Sequence, residues 1–159
     1  MQQDMEYSSQ EEETLSNQET RRGMYKNFRV GRVKYINDVA GILIEVLESC
    51  IGSDGEYFAT YNLYLDVDSK FVPKVEYTNV GDWVLFGFYI QSFRTGSNFS
   101  TSLKLRHYEK LISNNREVAV EIRDPRNANR DRTYFVPERA FETIKQITNK
   151  TQFNEYGKR

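Results

Sequence analysis

Residues 80–93 read Val-Gly-Asp-Trp-Val-Leu-Phe-Gly-Phe-Tyr-Ile-Gln-Ser-Phe, and this stretch decides the fold. Val80-Gly81-Asp82 reads as a turn, because Gly and Asp tolerate positive φ. Residues 83–93 are rich in aromatic and β-branched side chains and free of proline, which reads as a long strand. Side chains alternate across a strand. Val84, Phe86, Phe88 and Ile90 therefore share one face, and Trp83, Leu85, Tyr89, Gln91 and Phe93 share the other. The first set is a core face. The second puts three aromatics where a one-sided antiparallel sheet exposes polar groups, so it is expected to be either covered by another element or a contact surface.

Working outward, residues 94–98 close a hairpin loop and residues 99–108 run back. Thr101, Leu103 and Leu105 fall on one side of the returning strand, and Ser102, Lys104, Arg106 and Tyr108 on the other. Upstream, residues 28–36 alternate, with Phe28, Val30, Arg32 and Lys34 against Arg29, Gly31, Val33 and Tyr35. Residues 39–48 fit either period; β-branched residues dominate and Gly41 weakens a helix, so strand is favoured, with Gly41 marking a bend. Residues 57–66 form the next strand. Residues 71–77 read as a short strand that Pro73 confines to an edge or bulge. Beyond the hairpin, residues 117–122 read as one more strand and 124–132 as a polar, basic loop. Pro137 fits a first helical turn, and Ala140, Phe141, Ile144 and Ile147 recur at helical spacing, giving an amphipathic helix over 137–149. Its apolar face is expected on the barrel, with a dimer contact as the alternative.

Short strands separated by turn signals argue for a sandwich or small barrel. The fold expected is mainly β: a five-stranded antiparallel barrel within residues 26–115, with an extra N-terminal strand and a C-terminal helix. Residues 1–25 read as a disordered acidic arm, 116–150 as an extension carrying a strand and the helix, and 151–159 as a polar tail.

Composition narrows the function. One cysteine, Cys50, and one histidine, His107, supply no zinc-type ligand set and little material for nucleophilic catalysis; His107 is expected to be structural. No Walker loop or Gly-rich dinucleotide motif occurs, and Asp66-x-Asp68 beside a turn reads as a solvated loop, so neither an enzyme nor a cofactor is expected. No apolar run approaches the roughly 18 residues of a membrane helix. The first residues lack a basic-then-apolar signal segment, and a lone cysteine suits a reducing compartment, so a cytoplasmic location is expected. The net charge is −1, yet residues 1–20 carry six acidic side chains and no basic one, which leaves +5 for the remainder. An acidic arm on a basic body suggests an interaction tail and a surface suited to phosphates.

Residues 39–111 resemble an OB-fold of the single-strand-binding type. The resemblance rests on Tyr77-x-x-x-Gly81-x-x-Val84 with the long strand, then Thr101-x-Leu103 and Leu111. A small OB-fold family of bacteria and phages is closer. It shares Gly-Ile-Leu-Ile-Glu-Val at 41–46, Phe-Val-Pro-Lys-Val at 71–75 and Ile-Gln-Ser-Phe-Arg at 90–94. The resemblance covers roughly half the chain and implies that the five-stranded antiparallel barrel is of the OB type. The chain ends Gly-Lys-Arg, whereas familiar single-strand-binding proteins carry an acidic tip there.

An OB barrel alone does not define a function. Single-strand binding needs stacking platforms beside a basic groove. Tyr64, Trp83, Tyr89, Phe93 and Tyr108 fall on expected non-core faces, with Arg94, Lys104 and Arg106 among them. The expected function is sequence-tolerant binding of single-stranded nucleic acid, DNA ahead of RNA, in replication, recombination or repair. Trp83, Tyr89 and Tyr108 are the residues expected to contact bases. The acidic arm either occupies the basic groove or serves replication proteins as a handle, and a homo-oligomer is open. The competing reading is a protein-interaction or structural module in a replication or phage assembly, with the aromatics as its interface. Apart from function, some of these aromatics are open to packing under the C-terminal helix or the N-terminal strand.

Overall fold

The computed structural model describes residues 27–38, 40–124 and 128–147. The acidic arm of residues 1–25 and the tail of residues 151–159 lie outside the described residues. The described residues form seven strands and two α-helices, in the order β1 (Phe28–Asn37), β2 (Gly41–Gly52), β3 (Gly55–Asp66), α1 (Val72–Glu76), β4 (Trp83–Thr95), β5 (Asn98–Lys110), β6 (Glu117–Ile122), β7 (Arg132–Pro137) and α2 (Glu138–Gln146). β1 pairs with β2 and β4, β2 with β3, and β4 with β5, all antiparallel. β3 meets β5 in parallel at Asp66 and Lys104, which closes a five-stranded mixed barrel of the OB type.

Three expectations about the barrel change. The β3–β5 closure is parallel, so the barrel is mixed rather than wholly antiparallel. The strand over residues 28–36 is not an addition to the barrel but its first strand, held between β2 and β4. Residues 71–77 are not a strand. A 3-10 turn, Ser69–Phe71, runs into α1 with Pro73 in the first helical turn, where its missing N–H costs nothing. Phe71 and Val75 of this helical segment are buried in the barrel core. Gly81 has φ +101, the positive value expected of the turn before β4.

The inward face of β4 is as expected at its start and fails further on. Val84 and Phe86 are fully buried with Val33, Ile44, Leu65 and Leu105, Phe88 is half-buried, and Ile90 is 65% exposed. The reason is that β1 stops pairing with β4 at Phe28–Gly87. Beyond that point β4 and β5 continue together as an arm that ends at Thr95 and Asn98.

The last third of the chain supplies two strands rather than one. β6 and β7 form a hairpin, and β6 touches β3 in parallel at Phe58–Ile122. Together with α2 they bury a second core on the outer face of the barrel. Val30, Leu47, Trp83 and Leu85 point out of the barrel and meet Val120, Val136, Ala140 and Ile144. The apolar face of α2 thus packs on the barrel. Where the helix starts, Pro137 precedes it and ends β7.

Candidate nucleic-acid interface

OB barrels take oligonucleotides on the face of strands 2 and 3 and the loops beside it. Here the C-terminal extension already occupies part of that face. On β3 the outward side chains are Phe58, Thr60, Asn62, Tyr64 and Asp66. Phe58 packs in the second core, Thr60 receives Arg132 Nη2 at 3.5 Å, and Asn62 and Tyr64 lie beyond that contact, Tyr64 exposed. The open part of the face therefore begins above Thr60.

A fastening cluster marks the boundary. Arg32 Nη2 lies 3.0 Å from Glu45 Oε1, and the Tyr134 hydroxyl donates to Glu45 Oε2 at 2.6 Å. Arg132 Nη2 donates to the Tyr134 hydroxyl at 2.9 Å and stands 3.9 Å from Glu45 Oε2. The Arg32 guanidinium sits over two rings, 5.7 Å from the Trp83 centroid and 5.2 Å from that of Tyr134. Burial alone raises the Glu45 pKa, but the bonds from Tyr134 and Arg32 outweigh it and hold the carboxyl below its ordinary value.

Above this cluster the register lines up an aromatic row. Tyr35, Leu43 and Tyr64 lie side by side across β1, β2 and β3. Tyr35 is 55% exposed and Tyr64 45%. Tyr64 lies across Gly41, where any Cβ would run into its phenol, and its hydroxyl accepts from Asn37 Nδ2 at 3.1 Å. Gly41 therefore makes room for an aromatic ring, rather than only bending the strand. One row higher, Asp66 pairs with Lys104 at 3.6 Å, and Lys104 faces Tyr89 across β4–β5. Tyr89 and Phe93 are exposed on the same side of the arm.

Two of the eight expected site residues are removed from the surface. Trp83 is 8% exposed, because α2 and β6–β7 cover the outer face on which it lies. Tyr108 is 2% exposed. A bulge explains it: Gly87 faces His107 and Phe88 faces Leu105, so Arg106 is the extra residue and inverts the alternation of β5. Tyr108 then turns into the core beside Phe86, where its hydroxyl pairs with Thr78 Oγ1 at 2.9 Å. Neither ring is open to a base. Arg106 itself is exposed on the bulge, and Arg94 is exposed on the arm, on the side away from Phe93.

Tyr35 escapes sequence reasoning for the mirror-image reason. Strict alternation groups it with buried Val33, but a bulge between Val33 and Tyr35 turns it outward. Arg32, Lys34, Arg132 and Tyr134 also gather here, and no local pattern joins β1 to β7. Of the lone cysteine and histidine, Cys50 is buried and His107 half-buried. Burial, helped by the charge of Glu48, pushes the Cys50 thiol up to about 12. His107 stacks at a tilt on Phe28, 5.0 Å between centroids, and burial lowers its pKa. Among the described residues no group of three His, Cys, Asp or Glu side chains is placed to hold a metal ion, and no helix is long and apolar enough to cross a membrane.

The fold thus defines the class of the domain, an OB-type barrel with a C-terminal β-hairpin and helix laid over part of its outer face. A scan of family models and searches of curated proteins and of solved structures returned no match to the chain.

Proposed function

We propose that the protein binds single-stranded DNA, with little preference for sequence, across the open outer face of the barrel. The observation that carries this reading is the exposed row of Tyr35 and Tyr64 on β1 and β3, continued by Tyr89 and Phe93 along β4 beside Lys104. An aromatic face accepts any base, and each stacked base is worth about 1–3 kcal/mol. Arg94 and Arg106 add cations on the arm and at the β5 bulge. A role in replication, recombination or repair within a bacterial or phage setting, in the cytoplasm, agrees with the sequence resemblance.

The second reading, a protein-docking module, draws on the arm. Ile90, Phe93 and Phe99 are exposed there on both sides of the hairpin, and apolar patches of this kind mark contacts between proteins. Titration of a fluorescein-labelled dT oligomer, followed by anisotropy, separates the two. Under the DNA reading, affinity falls steeply with salt, and Tyr64→Ala weakens it by about 1–3 kcal/mol, roughly 5- to 150-fold. Absence of binding at low salt refutes the DNA reading and favours the docking module.

A further inference from the structure

We infer that Arg32 and Lys34 of β1 and Arg132 of the β6–β7 hairpin form the phosphate track for a single strand whose bases stack on Tyr35 and Tyr64. The inference rests on the proposed function and extends it, because it makes the C-terminal extension part of the binding site instead of a support for the barrel.

Geometry comes first. Arg32, Glu45 and Asn62 form the row immediately below Tyr35, Leu43 and Tyr64. Rows on one face lie two residues apart, about 7 Å. The row that carries Arg32 thus lies one step from the row of Tyr35 and Tyr64, within reach of the backbone of a strand stacked there. Arg132 reaches the same row from β7, bonded to Tyr134 and leaning on Thr60.

Charge comes second. The carboxylate in this row is Glu45, and Arg32 and Arg132 share it. Lys34 is the bulge residue of β1, exposed, and close enough for its charge to act on Glu45. Asp124 also acts on Arg132 from the loop before β7, so three cations against two carboxylates leave an excess of one positive charge beside the tyrosines. Glu45 fixes the direction of both guanidinium groups, and a fork held in place loses less freedom when a phosphate binds it. An acidic peptide matches the charge but has no use for two exposed tyrosines in line, so the nucleic-acid strand is the better fit.

The test uses the full chain and the labelled dT oligomer, with affinity measured between about 50 and about 200 mM salt. On single strands each phosphate contact contributes about 0.7 to the slope of log affinity against log salt. Arg132→Gln and Lys34→Gln are each expected to flatten the slope by about 0.7, and the double variant by about 1.4. Arg132→Lys restores the slope, since it returns the charge. Arg139→Gln, the same charge change on α2 outside the track, keeps the parental slope. Lys34 is exposed on its bulge, so its variant carries the test even if Arg132→Gln unfolds the hairpin. Parental slopes in both Gln variants, alongside weakened binding by Tyr64→Ala, overturn the phosphate track and leave stacking intact. A parent that ignores oligo(dT), or prefers polyglutamate to it, overturns the track and the binding reading together.

Discussion

Replacing Trp83 by alanine tests whether its role is structural. The side chain is 8% exposed and packs among Leu85, Leu111, Ala140 and Ile144, where the extension meets the barrel. Truncating a buried aromatic to alanine costs about 3–5 kcal/mol. Trp83 sits at the border of its cluster, with the Arg32 guanidinium 5.7 Å from its centroid. Water reaching the void from that side limits the loss, while the lost cation–π contact adds about 0.5–1 kcal/mol. The lower part of the range results, about 3 kcal/mol. With a urea m-value of about 2 kcal/mol/M, the unfolding midpoint moves down by about 1.5 M. Circular dichroism against urea reads the midpoint, and anisotropy on the dT oligomer reads affinity under conditions where the variant stays folded. An unchanged midpoint with a tenfold loss of affinity refutes the reasoning, because it describes a ring that stacks on a base instead of one that holds α2.

Three further outcomes are expected. Gly41→Ala drives a Cβ into the Tyr64 phenol and weakens oligo(dT) binding by displacing the ring, so the same substitution in a Tyr64→Ala background has little further effect on affinity. Tyr108→Phe removes a donor: Thr78 Oγ1 donates to the Val75 carbonyl at 2.6 Å and accepts from Tyr108, so the variant loses about 1 kcal/mol and about 2–4 °C in Tm by calorimetry, with affinity unchanged. Glu45→Gln changes the pH dependence of stability. The folded-state pKa of Glu45 lies below its unfolded value of about 4.5, so its contribution is present above that value and is lost as pH falls through the depressed folded pKa. The gap in urea midpoint between parent and variant is therefore widest near neutrality and closes in acid.

The strands themselves are legible because alternation is local. Val84 and Phe86 point inward, the hairpin closes between Thr95 and Asn98, and Ala140, Ile144 and Ile147 form the buried stripe of α2 and its C-terminal cap. Each follows from side-chain period and turn residues within a dozen positions. Proline position is equally local and still misleads at Pro73, since a proline tolerated at a strand edge is also at home in a first helical turn.

The barrel type and the C-terminal helix are thus written in the sequence, and the contents of the surface are decided by the tertiary structure. Bulges at Lys34 and Arg106 each shift the parity of a strand by one, sending Tyr35 out and Tyr108 in. A bulge is defined by the partner strand, so neither strand's own residues announce it. Trp83 and Tyr64 both lie on outward faces, and they differ in that β6, β7 and α2 cover the first and stop at Thr60 short of the second. Burial of an outward face depends on contacts between residues far apart in the chain, such as Tyr134 with Glu45, and those are set by how the elements pack, which no local period records.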